Sequence, residues 1–395
     1  MTGTTDRDIS TAEETGAHVS LAELALAFLK LGTIAFGGPA AHIAMMENEF
    51  VTRRRWLTRE QFLDRLGAAN LLPGPSSTEM AIFIGYEKRG WRGLLVAGTG
   101  FIVPAAILVT AIAAAYVRYG SLPRAGGMLY ALKPVVIAIV IQAFWKLARS
   151  AIKSTWLALV GVAAGVLYAF RWHEVLILAM AAGVAAGPYF YRRWKRSRAL
   201  PVAMLAPLTL GPGLLGTASV TATSGLWRLF LVFAKIGAVL FGSGYVLLAF
   251  LRTDLVDRLH WLTPQQLLDS VAVGQITPGP VFTTATFIGY LVSGVPGAIT
   301  ATVGIFAPAF FFVAASGVVI PRIRRSPLAG AMLDGVVAGS LALMGVVAWQ
   351  LGRAALVDLV TVVIAVLSLI LLLRFRVNSV WLILAAGAFG LVYRG

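Results

Sequence analysis

The sequence predicts an all-α polytopic membrane protein made of two inverted-topology repeats. Hydrophobic residues make up 58% of its 395 residues and charged residues 13%, and apolar runs such as 156–170 leave nothing polar to face water. The motif Pro-Gly-Pro interrupts apolar sequence at 73–75 and again at 278–280, so the chain carries two copies of one broken helix. Basic residues cluster in the short gaps between apolar segments, where they act as topology signals.

An internal duplication organises the chain. Residues 30–75 align with residues 235–280 at a constant offset of 205 without a gap, and the alignment continues at an offset of 204 beyond the Pro-Gly-Pro motifs. Trp-Leu-Thr recurs in this way at 56–58 and 261–263. The duplication predicts four parts: a polar N-terminal tail at 1–19, a first transmembrane repeat at 20–191, a linker rich in basic, Gly and Pro residues at 192–224, and a second transmembrane repeat at 225–395.

The positions of Lys and Arg predict how the repeats cross the membrane. Short positively charged loops stay cytoplasmic, which places the basic cluster at 192–198 inside and, counting back, the loop at 88–92 inside as well. A re-entrant hairpin over 60–87 then puts both termini outside. Each half has about five transmembrane helices plus one re-entrant broken-helix hairpin, and because the number of spans is odd, the halves are inserted upside down relative to each other. If the hairpin crosses instead, the N-terminus lies in the cytoplasm.

Composition argues against several other classes of protein. Lys and Arg outnumber Asp and Glu by 33 to 17, but because they mark loops between spans they do not indicate a nucleic-acid partner. With no cysteine and four scattered histidines, we expect no disulfide, no metal site and no cofactor. Residues 1–17 lack the pattern of a cleavable signal peptide, and no phosphate-binding ATPase loop is present. We therefore expect a non-enzymatic protein whose partners include the lipid bilayer.

The two Pro-Gly-Pro breaks are the predicted centre of a binding site. They free backbone groups from helical pairing, and non-helical backbone at membrane depth must be buried in protein or line a watery cavity, where helix N-termini offer N–H groups to anions. The alternative is a plain turn between two helices, with the hydroxyls serving as helix caps. The predicted substrate-binding residues of the breaks are Asn70, Pro73, Gly74, Pro75, Ser76, Ser77, Thr78, Gln275, Pro278, Gly279, Pro280, Thr283 and Thr284.

Two lysines at matching positions are predicted to supply positive charge to this site. Lys30 and Lys235 lie in apolar segments, and an intramembrane cation usually faces a partner or a cavity. The alternative is that each side chain snorkels from a helix end. A second glycine-rich break follows each lysine, so two irregular backbones and one cation would converge in each half. The predicted binding residues of these second breaks are Gly37, Gly38, Gly242 and Ser243.

Four titratable residues are candidates for proton coupling. Glu79 has no acidic twin and lies four residues beyond Pro75, as an intramembrane carboxylate. Asp64 and Asp269 are twins, and a structural ion pair with a nearby arginine or lysine is an equal alternative for them. For His42 there are two interpretations: it carries protons, or it is a histidine packed in the protein or at the membrane interface.

These motifs resemble the long-chain, two-repeat type of the chromate ion transporter (CHR) family, over nearly the whole chain from about residue 22. The resemblance rests on the segments 36–39, 70–79 and 274–290 and on the duplicated plan. It implies a secondary active transporter in the cytoplasmic membrane that exports chromate and confers chromate resistance, with sulfate as a competing structural analogue. Export of a dianion from a negative interior is electrically downhill, and proton exchange is an additional driving force. A homodimer is one arrangement that remains open.

Other functions fit the residues less well. A carrier of sulfate or of another oxyanion is the alternative within the same class, because both chromate and sulfate are tetrahedral dianions. An intramembrane enzyme or scramblase would use Glu79 and His42 as acid and base, but neither residue is repeated in the second half. A chromate reductase is disfavoured because the chain lacks cysteine and a flavin-type glycine loop.

Overall fold

The computed structural model describes residues 19–120, 123–196, 225–241, 246–324, 326–375 and 377–393. Most of the predicted tail and linker, together with Gly242 and Ser243, therefore lie outside the described residues. Every regular element within the described ranges is helical, as the sequence predicts.

Within the described residues, the two halves share a succession of seven α-helices and one π-helical turn, to which the first half adds α8 and the second half a 3-10 turn. In the first half these are α1 (Leu21–Ile34), α2 (Pro39–Glu47), a π-helical turn (Asn48–Arg53), α3 (Arg59–Ala69), α4 (Ser76–Tyr119), α5 (Pro123–Ala151), α6 (Thr155–Ala169), α7 (Glu174–Ala185) and α8 (Gly187–Arg196). In the second half they are α9 (Gly225–Val239), α10 (Leu247–Leu251), a π-helical turn (Arg252–Arg258), α11 (Pro264–Ile276), a 3-10 turn (Val281–Thr283), α12 (Thr284–Arg324), α13 (Pro327–Ala355), α14 (Leu359–Arg374) and α15 (Ser379–Tyr393).

Local hydrogen bonds repeat residue by residue. Thr58 caps α3 in a reciprocal capping box with Gln61, and Thr263 caps α11 in the same way with Gln266. These boxes fix where the helices leading to the Pro-Gly-Pro breaks begin. The sequence duplication is therefore also a duplication of local structure.

α4 and α12 each contain a sharp reversal at equivalent glycines. Gly90 and Gly294 adopt positive φ angles of +57° and +61°, which favour glycine. In α4 the segments on either side of the reversal pack together so closely that a Cβ on Gly85 would overlap the Gly93 carbonyl. A short helix after each break thus folds back against the long helix that follows it.

Helix length and composition identify the protein as a multi-pass membrane protein. Within the described chain, five helical stretches are long and apolar enough to cross a membrane: Ser76–Tyr119, Gly126–Arg149, Glu174–Tyr191, Val281–Gly317 and Pro327–Ala355. The apolar helices α6, α14 and α15 are shorter. The described helices of spanning length are thus fewer than the roughly ten full spans predicted from the sequence.

The two repeats are interwoven. α1 packs on α4 and α9 on α12, and α4 and α12 pack on each other between the halves. Beyond this centre, α5 packs against α14 and α15, whereas α13 packs against α6 and α7. Each half therefore completes its packing with helices from the other half.

We expect Gly85→Ala and Gly289→Ala to destabilise the protein, because the added methyl groups would overlap the carbonyls of Gly93 and Gly297. Overpacking of this kind costs about 1–3 kcal/mol. The measurement is the thermal midpoint of the purified protein in detergent. Gly183→Ala is the matched control, since an added Cβ there meets nothing within 4 Å. If both test variants have the same thermal midpoint as the control, the close packing of Gly85 on Gly93 and of Gly289 on Gly297 is contradicted.

Candidate functional site

Each Pro-Gly-Pro break is hydrogen-bonded to the opposite repeat. The Gly74 N–H donates to the Leu240 carbonyl at 2.7 Å, and the Gly279 N–H donates to the Ala35 carbonyl at 2.8 Å. Ala35 and Leu240 directly follow α1 and α9, just before the glycine-rich break of each half. Each Pro-Gly-Pro break is therefore bonded to the residue that follows the first helix of the opposite half.

Glycine is required at the centre of both breaks. The φ angles of Gly74 and Gly279 are +141° and +88°. A Cβ on Gly279 would lie 2.6 Å from the Ala105 Cβ and 3.2 Å from the Gly32 carbonyl oxygen, so backbone approaches backbone here. Pro73, Pro75, Pro278 and Pro280 flank these glycines.

The helices that leave the breaks begin differently in the two halves. α4 starts directly at Ser76, and no side chain caps it. In the second half a 3-10 turn intervenes, where the hydroxyls of Thr283 and Thr284 donate to the carbonyls of Pro280 and Val281. These two hydroxyls therefore donate to local backbone carbonyls, whereas a hydroxyl that caps a helix would accept from a backbone N–H. Ser77 and Thr78 are buried, and the Thr78 hydroxyl has no hydrogen-bond partner among the described residues.

The polar residues that precede the breaks also differ between halves. Asn70 ends α3 and is exposed, whereas its twin Gln275 is buried near the end of α11, and its amide nitrogen has no partner among the described residues. Gln275 and Thr284 are the polar residues that line a small cavity beside the Pro-Gly-Pro break at 278–280. The cavity is lined by Leu247, Leu248, Leu251, Val271, Gln275, Val281 and Thr284.

Lys30 lies in a cluster of three cations around one carboxylate. Its ammonium is 4.0 Å from Glu49, which also accepts from Arg53 at 3.1 Å and from Arg54 at 2.8 Å. Burial works to raise the pKa of Glu49, but the Arg54 hydrogen bond and the charges of Lys30, Arg54 and Arg53 hold that pKa below its ordinary value. The Lys30 side chain is 48% exposed. Gly37, with a φ angle of +105°, and Gly38, the N-cap of α2, form the break that follows α1.

Lys235 lies in an equivalent cluster that has gained a second carboxylate. Its ammonium is 2.5 Å from Asp254 and 3.3 Å from Glu174, and Arg258 pairs with the same two residues at 3.3 Å. Asp254 and Arg258 are the twins of Glu49 and Arg53, whereas Glu174 comes from the start of α7 and is fully buried. Glu174 was not predicted from the sequence, although an acidic residue at the start of an apolar helix could have indicated it.

Glu79 and His42 are both buried. The Glu79 carboxylate is fully buried beside Gly74, and neither oxygen has a hydrogen-bond partner among the described residues. The His42 ring packs edge-on against Phe101, with ring centres 5.7 Å apart. Glu79 thus lies directly at the first break.

The twin aspartates have different surroundings. The Asp64 side chain is 49% exposed and lies 3.6 Å from Arg65. Asp269 is buried, lies 3.4 Å from the ammonium of Lys133 and accepts a 2.9 Å hydrogen bond from the Tyr116 hydroxyl. The partners of Asp269 are thus neither Arg258 nor Lys235. The sequence analysis missed Lys133, although a single lysine within an apolar helix is itself the signal that singled out Lys30.

The fold and these sites define a two-repeat, helical, multi-pass membrane protein with charged groups between its repeats. A family model described as chromate transporter matches residues 22–187 and 227–391, once in each half. The chain belongs to the chromate transporter family, as the sequence motifs indicated.

Curated relatives agree with this assignment. The chain is 34% identical to the chromate transport protein of Cupriavidus metallidurans over 95% of this chain and 93% of the relative. It is 33% identical to a probable chromate transport protein of Synechococcus elongatus over 89% of each chain. It is 30% identical to the chromate transport protein of Pseudomonas aeruginosa over 96% and 94% of the two chains. No solved structure gives a significant match.

Glu79→Gln is expected to flatten the pH dependence of transport while the protein stays folded. The amide has nearly the same shape as the carboxyl but cannot exchange a proton, and a charge buried without a partner is costly. The measurement is the transport rate across a pH series, compared with Glu60→Gln, which removes an exposed carboxylate from α3. A wild-type pH profile in the Glu79 variant would assign this residue a structural role.

Proposed function

We propose that the protein exports chromate across the cytoplasmic membrane as a secondary transporter and thereby confers chromate resistance. The observation that carries the proposal is the match of the chromate transporter family model to both halves of the chain. The paired breaks support it, because irregular backbone joined across two repeats is the usual setting of substrate sites in such transporters.

The membrane potential is a sufficient source of energy for export. Each negative charge that leaves a cell with a negative interior gains about 2.3 kcal/mol per 100 mV, and chromate carries two. Proton exchange at Glu79 or Asp269 would add to this driving force. Chromate and sulfate share tetrahedral geometry and charge, so sulfate is expected to compete for the same site.

The proposed mechanism is alternating access about two re-entrant hairpins in halves of opposite topology. The contact between Arg65 on α3 and Glu87 near the reversal in α4, at 2.8 Å, supports the hairpin. The two limbs of the hairpin are α3 and the part of α4 before its reversal. They meet at the Arg65–Glu87 contact, and the Pro-Gly-Pro break joins them at the opposite end. In the proposed arrangement they therefore run side by side, and the chain leaves the membrane on the side where it entered. The bonds of Gly74 and Gly279 to the opposite repeat would then join the hairpins at the centre of the membrane.

Reporter fusions test the inverted topology. Reporters placed after Arg124 and after Pro296 are expected to lie outside, and reporters after Arg196 and Arg325 in the cytoplasm, because the basic loops alternate in this way. Alkaline phosphatase and a cytoplasmic fluorescent protein give opposite readouts at each position. Finding the positions after Arg124 and Arg325 on the same side would exclude the arrangement.

The proposed binding groups are Lys30 and Lys235 together with the two breaks. Both lysines are partly exposed, at 48% and 35% of the side chain, and both are already paired with carboxylates. An arriving oxyanion would compete with Glu49 and Asp254 for these ammonium groups. The backbone of the breaks and the hydroxyls beside them would supply further donors, while the snorkelling interpretation assigns the lysines no contact with substrate.

Uptake of labelled chromate into everted membrane vesicles tests the function. We expect voltage-dependent uptake that excess sulfate inhibits, and loss of at least tenfold in Lys30→Met and in Lys235→Met, because a charge-assisted hydrogen bond contributes about 1.5–3 kcal/mol. Lys146→Met, which removes an exposed lysine, is the control. Sulfate uptake without chromate uptake would favour the sulfate carrier, and wild-type rates in both lysine variants would make the lysines snorkelling anchors.

A further inference from the structure

We propose that Lys133 is a third, fully internal binding residue for the transported oxyanion, and that Asp269 is the counter-ion it holds when no anion is bound. This inference rests on the proposed oxyanion transport. It concerns a cluster of three residues, Tyr116, Lys133 and Asp269, which we call the internal charge cluster.

The internal charge cluster joins the two repeats. Tyr116 belongs to α4 and Lys133 to α5 in the first repeat, whereas Asp269 belongs to α11 in the second. The Lys133 side chain is only 10% exposed and the Asp269 side chain 4%. Among the described lysines and arginines, Lys133 alone is buried. It is therefore a desolvated cation inside the protein, unlike Lys30 and Lys235.

The ammonium of Lys133 retains capacity to bind an anion. An ammonium group has three N–H donors, and the structure gives this one a single partner among the described residues, the Asp269 carboxylate at 3.4 Å. Asp269 has a second partner, because it accepts from the Tyr116 hydroxyl at 2.9 Å. When the Lys133 ammonium leaves Asp269 to bind an oxyanion, Asp269 still accepts the hydrogen bond from Tyr116 and is not left without a donor. A buried ammonium with open donors suits a tetrahedral oxyanion such as chromate or sulfate.

One member of the internal charge cluster, Asp269, lies on α11, the helix that leads into the second Pro-Gly-Pro break. Asp269 is seven residues before Ile276, the last residue of α11, which corresponds to about 10 Å along the helix axis. Ile276 packs in the same apolar cluster as Leu132, the neighbour of Lys133, and the Pro-Gly-Pro motif follows two residues later. The helix that carries Lys133 therefore packs beside the end of α11, where the break begins.

The internal charge cluster is not among the features that the duplication copied. The positions equivalent to Tyr116 and Lys133 are Ile320 and Val337, which are apolar, and Asp64, the twin of Asp269, is half exposed. By contrast, Lys30, Glu49 and Arg53 recur as Lys235, Asp254 and Arg258. The helices occur in both halves, but the internal charge cluster occurs once among the described residues and draws on both halves.

Three variants separate anion binding from structural pairing. Asp269→Asn removes the competing charge and keeps an acceptor for Tyr116, so we expect chromate to bind about tenfold more tightly, the equivalent of about 1.4 kcal/mol. Either single variant leaves a buried charge without its counter-ion and costs stability, but a bound oxyanion restores a counter-ion only to the Lys133 ammonium of Asp269→Asn, so Lys133→Met is expected to be the less stable of the two. The double variant Lys133→Met with Asp269→Asn removes both charges at nearly constant volume, so it should fold but bind and transport chromate at least tenfold less well.

The measurements are calorimetric binding of chromate and of sulfate to purified protein, chromate uptake by everted vesicles, and the thermal midpoint. The control is the double variant Lys153→Met with Asp334→Asn, which removes an ion pair of 2.7 Å at the surface and should behave as wild type. Wild-type binding and transport in the internal double variant would overturn the proposal, and so would unchanged affinity in Asp269→Asn. If wild-type protein neither binds nor transports chromate or sulfate, the proposed function itself fails, which is a different result.

Discussion

The hydrogen bonds that cross between the repeats at the Pro-Gly-Pro breaks are the constraint on which the rest of the structure depends. A backbone N–H in an apolar interior must find a partner, and the N–H groups of Gly74 and Gly279 find theirs at Leu240 and Ala35 of the opposite repeat. Neither half can satisfy its own break in this way. The pairing of α4 with α12, and the packing of the later helices on the opposite half, follow from the same mutual dependence.

Charged residues separate into those that the duplication copied and those that it did not. The copied set holds the ends of the π-helical turns to α1 and α9, through Lys30 with Glu49 and Lys235 with Asp254. These pairs stabilise the same local structure twice. Glu174 and Lys133 stand outside the copy, and each ties one half to the other through an ion pair: the buried Glu174 with the partly exposed Lys235, and Lys133 with Asp269, both buried. Because a buried charge without a partner is costly, each such addition needed a partner on the facing helix.

Paired cations at an anion pathway have a physical advantage. An unpaired lysine would bind a dianion tightly and release it slowly. A lysine with a carboxylate nearby releases the dianion more easily, because the carboxylate replaces the dianion as its counter-ion. In the proposed mechanism the same exchange of counter-ions would take place at the exposed lysine clusters and at the internal charge cluster. Transport needs binding that is strong enough for entry and weak enough for release, and internal carboxylates such as Asp254 and Asp269 would provide that balance.

The sequence by itself determined the class, the duplication and the position of each break, because proline and glycine act through the local backbone and a repeat is visible as identity at a fixed offset. It also marked Lys30 and Glu79 as charges in apolar segments, and Asp269 as a candidate for proton coupling or for an ion pair. Only the tertiary structure decided the partners: that Gly74 bonds across to Leu240, that Asp269 pairs with Lys133, and that Asp64 is half exposed. These contacts join residues more than a hundred positions apart, and nothing in the local sequence encodes which helix faces which.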